Sequence, residues 1–195
     1  FTNAYAASNV CSPTRASIMT GKYPASLHLT DYIPGKERPN AKLKPPNWRK
    51  YLDTSEVTIA KAFKKNGYKT AHIGKWHLGK DEKYWPENHG FDINIGGWSS
   101  GQPIKNIKKN ANGYFSPYRN PKLENGKDGE YLTKRLTKEA VQVIKNYQSK
   151  PFFLNLWFYS VHTPLQAEKD KIVKYQKNNN KSVHHKNPVC HAAPW

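Results

Sequence analysis

A nearly continuous apolar run at residues 152–159, FFLNLWFY, constrains the fold more than any other segment. It is too continuous for a strand with one face in water, so it predicts a strand of a covered parallel sheet. Residues 130–147 precede it and predict an amphipathic helix. Its apolar positions are Leu132, Leu136, Ala140, Val143, Ile144 and Tyr147. With an earlier strand predicted at residues 68–73, the order is that of an α/β fold, a mostly parallel sheet flanked by helices.

Two shorter helices are predicted before that first strand. Ser12 and Pro13 are typical of a helix N-cap and first turn, and Gly21 of a left-handed C-cap, which places Cys11 at a helix N-terminus. Residues 53–55 offer caps for a second helix that ends before Gly67. We expect its inward side chains to be Val57, Ala60 and Phe63. The Gly- and Pro-rich stretch at 85–129 predicts a long loop with short strands, and the Lys- and Asn-rich tail after Gln166 predicts poor order.

The net charge is +18 for 195 residues, which raises the question of nucleic-acid binding. No zinc-finger spacing, RNP-type aromatic signature or basic heptad accompanies it, so no nucleic-acid partner is expected. We interpret the scattered lysines as solvated surface that also favours anionic substrates. A noncatalytic basic segment that binds polyanions remains the alternative. No apolar run approaches the roughly 20 residues of a membrane span, so none is expected.

The cysteines and the chain ends limit the interpretation further. Cys11 and Cys190 could form one disulfide with each other, but two cysteines cannot form a disulfide scaffold. Neither belongs to a CxxC motif. The chain begins at Phe1 and its single methionine is Met19, so we expect it to be an internal segment of a longer protein.

The sequence CSPTRASIMTG at residues 11–21 resembles the signature of type I, formylglycine-dependent sulfatases of the arylsulfatase kind. The resemblance implies that a maturation enzyme oxidises Cys11 to formylglycine, which supplies the nucleophile that attacks sulfur. A helix N-terminus suits an anionic sulfate, and Arg15 returns to the same helix face to stabilise charge. A buried structural cysteine is the alternative. A tyrosine-phosphatase loop is disfavoured, because Ser17 stands where that loop has arginine.

A second segment, GYKTAHIGKWHLG at residues 67–79, is similar to the other sulfatase signature. Lys75 and His77 are two residues apart, so an extended backbone points both to one side. The resemblance implies that Lys75 binds sulfate and that His77 is the base that takes the proton of the nucleophile. We interpret His72 as structural.

A third segment, PFFLNLWFYSVHTPL at residues 151–165, also matches the family. It places His162 after the carboxyl end of a strand, where open parallel sheets bind ligands. The resemblance implies that His162 contacts sulfate and protonates the leaving oxygen. Weaker matches at residues 89–92 and 113–118 carry no catalytic role, and the neighbouring His184 and His185 are interpreted as surface residues.

The resemblance implies an alkaline-phosphatase-like sulfatase fold, incomplete in this segment. Residues 1–165 would form part of the catalytic domain and residues 166–195 a truncated tail of the same domain, with an atypical end at 188–195. The implied parent is a periplasmic or secreted sulfuric ester hydrolase acting on sulfated glycans or aryl sulfates. The family's Ca²⁺ would bind Cys11 in its formylglycine form. The resemblance implies that the remaining ligands, two adjacent Asp and an Asp-Asn or Asp-His pair, lie outside this segment. We therefore expect this segment alone to be inactive.

Overall fold

The computed structural model describes residues 3–36, 39–106 and 110–176, and its centre is a parallel sheet. The strands are β1 (Lys69–Gly74), β2 (Ile93–Ile95), β3 (Lys105–Asn106), β4 (Ala111–Asn112) and β5 (Phe152–Trp157). The sheet order is β2-β1-β5, and β1 pairs in parallel with both neighbours. Strands β3 and β4 form a separate antiparallel ribbon. The predicted parallel α/β arrangement is confirmed.

In the residues that the structure describes, four helices flank the strands, together with two short 3₁₀ turns at Glu82–Tyr84 and Pro86–His89. The helices are α1 (Cys11–Thr20), α2 (Ile59–Lys65), α3 (Leu132–Tyr147) and α4 (Lys169–Gln176). The predicted α3 is confirmed, with Leu132, Leu136, Ala140 and Val143 buried, although Ile144 is 42% exposed. The left-handed C-cap at Gly21 is also confirmed, with φ 70°.

The predicted caps of the first two helices are wrong. Helix α1 already begins at Cys11, so Ser12 lies inside the helix and is buried. Helix α2 begins later than predicted, because the Thr58 side chain accepts a hydrogen bond from the Lys61 N–H at 3.2 Å. Val57 therefore precedes the helix and is 71% exposed rather than facing inward.

Both faces of the sheet are covered, as the side chains of β5 illustrate. Leu154 and Leu156 pack against the cluster that contains the buried face of α3. Phe153 and Trp157 pack against a second cluster, which contains residues of α1 and α2. Since side chains alternate along a strand, the two clusters lie on opposite faces. This double cover explains why the β5 sequence is apolar almost throughout.

The poor order predicted after Gln166 is wrong for residues 167–176, which the structure describes. Residues 169–176 form α4, and Lys134 of α3 forms an ion pair with Glu168 just before it, at 2.7 Å. Poor order predicted after residue 176, the Cys190 thiol and the atypical end at 188–195 lie outside the described residues. Within the described ranges, none of the helices has the length and apolar character needed to cross a lipid bilayer.

Candidate active site

The N-terminus of α1 meets the chain that leaves the carboxyl end of β1. Cys11 is the first residue of α1, and β1 ends at Gly74, directly before Lys75 and two residues before Trp76. The Cys11 Sγ atom lies 3.1 Å from Nδ1 of His77. The two sequence motifs, at residues 11–21 and 67–79, therefore meet at the sheet edge where parallel folds place their ligands.

The imidazole of His77 is held in one orientation. Its Nε2 contacts the carbonyl oxygen of Ile33, which can only accept, so Nε2 carries the proton and Nδ1 turns its lone pair to Cys11. Ser12 Oγ donates to the His77 carbonyl oxygen at 3.0 Å and accepts from the Ile33 N–H at 3.1 Å. Buried Ser12 thus ties the backbone of His77 to the loop that contacts its ring.

The predicted extended backbone through Lys75 and His77 is wrong at His77, whose φ is 61°. This left-handed conformation, rather than strand alternation, turns the imidazole to Cys11. Glycine at position 101 leaves room for the ring, because a Cβ there would lie 2.4 Å from His77 Cε1. Sequence reasoning missed Ser12, Ile33 and Gly101 as neighbours of the site. The only signal for Gly101 was its place in a Gly- and Ser-rich loop.

Two cations, buried Lys75 and partly buried Arg15, lie beside the Cys11 and His77 pair. The Arg15 guanidinium donates to the Lys75 carbonyl oxygen at 2.7 Å and stands 4.6 Å from the centre of the Trp157 ring. Lys75 is only 4% exposed. Among the described residues, no carboxylate forms an ion pair with either cation, and Arg15 Nε has no hydrogen-bond partner.

Burial sets the protonation of these groups. It lowers the pKa of Lys75 to about 8, with the Arg15 charge acting in the same direction. It lowers the pKa of Arg15 to about 10. The pKa of His77 falls to about 4, through burial first and the Lys75 charge second. At neutral pH His77 is therefore a neutral imidazole, while Arg15 and most of Lys75 remain charged.

A cavity of about 630 Å³ opens over Cys11 and His77 and also reaches His162. Its other lining residues are Asn9, Val10, Tyr32, Ile33, Pro34, Ser99, Ser100, Gly101 and Gln102. His162 lies five residues beyond the end of β5, and its carbonyl oxygen accepts from the Tyr114 hydroxyl at 2.9 Å. The structure thus brings Cys11 and His77 into contact and places the exposed His162 on the same cavity, whereas Arg15 and Lys75 lie deeper.

His72 is enclosed and supports the strand end, in keeping with its structural interpretation. Its Nε2 bonds the Gly74 carbonyl oxygen at 3.1 Å, and its Nδ1 accepts from the Asn155 amide at 2.9 Å. Complete burial lowers the pKa of His72 to about 3. Neutral His72 therefore links β1, β5 and the turn that leads to Lys75.

The described residues do not by themselves fit the calcium ion that the resemblance implies. None of the described His, Cys, Asp and Glu side chains gather in a group of three or more that could hold a metal. The charged groups nearest Cys11 are cations, whereas Ca²⁺ takes six to eight oxygen ligands. Any calcium ligand contributed by Cys11 would need partners from beyond these residues.

The chain is similar to known proteins over most of its length. The sulfatase family model matches residues 1–187. The chain is 34% identical to an arylsulfatase of Hemicentrotus pulcherrimus, covering 87% of this chain and 32% of that protein. It is 31% identical to arylsulfatase J of Mus musculus, covering 81% of this chain and 26% of that protein. The chain therefore spans a third or less of the length of these curated relatives.

A solved structure shows the same fold. The crystal structure of Ps i-CgsB in complex with k-i-k-neocarrahexaose superposes with a TM-score of 0.68 at 24% identity, covering 96% of this chain and 42% of that one. The expected alkaline-phosphatase-like fold, with its parallel sheet and flanking helices, is thereby confirmed. The match of the family model over nearly the whole chain identifies it as a member of the sulfatase family.

Proposed function

We propose that the protein containing this chain hydrolyses sulfate esters with a nucleophile made from Cys11. The observation that carries the proposal is the positive charge of buried Lys75 and partly buried Arg15, which no described carboxylate neutralises, beside the contact between Cys11 and His77. A buried charge is costly unless an opposite charge accompanies it. A sulfate ester supplies that negative charge when it binds, next to the reacting group.

Oxidation of Cys11 to formylglycine would supply, after hydration, a hydroxyl group able to attack sulfur. His77 is suited to take the proton of that group, because its Nδ1 lone pair faces Cys11 and its pKa keeps it neutral. The Ile33 carbonyl oxygen accepts a hydrogen bond from the Nε2–H group, which leaves Nδ1 free to take a proton. The side chain of His77 thus acts as base at one defined atom.

Arg15 and Lys75 would stabilise the negative charge that grows on the sulfate oxygens, as fixed cations in a partly dehydrated site do. Their positions are set before substrate arrives, since Arg15 is bonded to the Lys75 carbonyl oxygen and stacked on Trp157. His162 faces the same cavity from the solvent side. That position supports a role in contacting sulfate and protonating the leaving oxygen.

The substrate class we propose is a sulfated glycan or an aryl sulfate. The named relatives are arylsulfatases, and the solved structure named above holds a neocarrahexaose. We further propose that a maturation enzyme forms the formylglycine, that Ca²⁺ binds the complete protein, and that this protein is periplasmic or secreted. Residues 1–165 would belong to its catalytic domain, with 166–195 continuing the same domain.

A noncatalytic polyanion binder would explain the net charge but not the buried arrangement. Such a protein needs lysines at the surface, not a neutral imidazole turned to a helix N-terminal cysteine. Catalytic turnover is therefore the property that separates the two functions.

The test uses the full-length parent protein, produced with and without a formylglycine-generating enzyme. We expect peptide mass spectrometry to find Cys11 oxidised only in the first preparation, and only that preparation to hydrolyse an aryl sulfate. Cys11→Ala removes the oxidisable thiol and should abolish turnover. Equal turnover by the oxidised protein and by Cys11→Ala would overturn the proposal.

A further inference from the structure

A second groove, of about 750 Å³, adjoins the cavity over Cys11. Pro34 lines both spaces, so one loop separates them. The groove is also lined by Asp31, Gly35, Lys36, Lys44, Trp48 and Lys50. Its size is within the range of pockets that hold small molecules.

The wall between the two spaces is anchored on both sides. Toward the active site, the Ile33 backbone bonds Ser12 and His77. Toward the groove, Gly35 has a φ of +83° and packs under the Trp48 ring, where a Cβ would lie 2.7 Å from Cζ2. Trp48 also packs against the buried cluster that contains residues of α1 and α2. The indole is therefore a fixed wall rather than a free surface side chain.

The groove carries excess positive charge. Of its described lining residues, three are exposed lysines, Lys36, Lys44 and Lys50, and one, Asp31, is a carboxylate. Within the described ranges none of them forms an ion pair, and Lys50 Nζ lies 5.8 Å from the Trp48 ring centre. Free ammonium groups bind oxyanions, while an aromatic face packs against the apolar face of a ring.

We propose that this groove binds a second sulfate group, carried by the sugar next to the one whose sulfate faces Cys11. The proposal rests on the proposed function and narrows its substrate class to polysulfated glycans. Trp48 would pack against the neighbouring sugar ring, and Lys44 and Lys50 would bind its sulfate. The lysines of the groove thus select among substrates, while Arg15 and Lys75, next to Cys11, act on the sulfate that is cleaved.

Direct binding tests the groove without any turnover. The probe is a heparin tetrasaccharide, which carries sulfate on adjacent sugars, titrated calorimetrically into the full-length parent carrying Cys11→Ala. We expect the added pair Lys44→Ala and Lys50→Ala to raise the Kd by roughly fivefold or more, as loss of two exposed ion contacts predicts. The chemically desulfated tetrasaccharide keeps its carboxylates, so its affinity should be the same with and without these substitutions.

The matched control is the pair Lys145→Ala and Lys150→Ala, which removes the same charge from exposed positions in and just after α3. We expect this pair to leave the Kd within about twofold, because diffuse charge contributes little at physiological salt. Equal weakening by both pairs would mean diffuse attraction and overturn the proposal. No weakening by the groove pair would overturn it as well.

Turnover of an aryl monosulfate separates this proposal from the proposed function. With Cys11 present and oxidised to formylglycine, the groove pair should hydrolyse this small substrate within about twofold of the equally oxidised protein without these substitutions, since the substrate carries no second sulfate. A parallel loss of monosulfate turnover would show that the groove is not a separate subsite. If the unsubstituted protein fails to hydrolyse the monosulfate, the proposed function fails, while the binding titration still decides the fate of the groove.

Discussion

Cys11 Sγ and His77 Nδ1 lie 3.1 Å apart although 66 residues separate them in the chain. The proposed function makes His77 the base, so His77→Asn should lower kcat by about 100-fold or more while the protein stays folded. Asparagine is chosen because it tolerates the left-handed backbone at this position, where φ is 61°. Steady-state kinetics on an aryl sulfate and circular dichroism measure the two effects.

The matched control for that variant is His28→Asn. His28 is also a histidine with positive φ, at 50°, but it is exposed and lies outside the cavity lining. Its substitution should leave kcat unchanged. A His77→Asn protein with full turnover would remove His77 from the mechanism.

We expect the side chain at position 101 to affect turnover only through the position of the His77 ring. A methyl group at position 101 would lie 2.4 Å from His77 Cε1, so Gly101→Ala should displace the ring and lower kcat more than it changes KM. A double-mutant cycle checks this route. In a protein that already carries His77→Asn, the alanine should have little further effect, and additive losses would contradict the argument.

Trp157 should support the charge of Arg15. Trp157→Leu removes the ring that lies 4.6 Å from the guanidinium, and cation–π contacts of partly desolvated groups are worth about 1–2 kcal/mol. We expect kcat/KM for an aryl sulfate to fall by roughly five- to thirtyfold. Trp157→Phe keeps a ring and should lose less. Equal losses in both variants would show that packing, rather than the cation–π contact, matters.

Asn155 should stabilise the fold through His72. Asn155→Leu leaves the buried Nδ1 of His72 without a donor, which costs about 1–3 kcal/mol in the free energy of unfolding. Urea denaturation measures the loss. The double variant Asn155→Leu with His72→Phe removes both polar partners and should recover part of it, whereas a double variant less stable than the sum of the single losses would contradict this account.

Asp92 should make stability depend on pH. Burial pushes its pKa up, but hydrogen bonds from Lys64 and Thr70 outweigh that effect and hold the pKa below its ordinary value of 3.8. The stabilisation is therefore present above pH 3.8 and is lost as the pH falls through the lowered folded-state value. Asp92→Asn should destabilise the protein at pH 7, and the difference should shrink on acidification.

Thermal unfolding at a series of pH values measures this difference. Asp128→Asn serves as the control, because Asp128 is exposed and forms no ion pair with the residues that the structure describes. A pH-independent effect of Asp92→Asn would show that shape rather than charge stabilises this position.

The sequence predicted those helices and strands whose apolar pattern extends over many residues. Helix α3 was found because its buried residues recur every three to four positions, and β5 because its apolar run is long. The cap of α2 was misplaced because Asp53, Ser55 and Thr58 are all good caps in isolation. A tertiary contact selects Thr58 as the cap, because its Oγ1 also donates to the buried His89 carbonyl oxygen at 2.5 Å.

The candidate site was predicted as a set of residue types but not as a geometry. Family motifs named Cys11, Arg15, Lys75, His77 and His162, yet local spacing implied an extended backbone where His77 is left-handed. Gly101 and Ile33 were missed because their roles are those of empty space and of a backbone carbonyl, neither of which has a side-chain signature.

The pairing of β1 with β5 has a consequence for how the molecule acquires its structure. Lys69 pairs with Phe152 across 83 residues, in a parallel arrangement that no tight turn can nucleate. Closing so long a loop costs entropy before any contact repays it, so the transition state for folding must contain distant parts of the chain. The turn carrying Lys75 and His77 depends on that pairing, through the Lys75 N–H bonded to the Trp157 carbonyl oxygen at 2.8 Å. During refolding, the neighbourhood of Cys11 would therefore form late, after the central strands have joined.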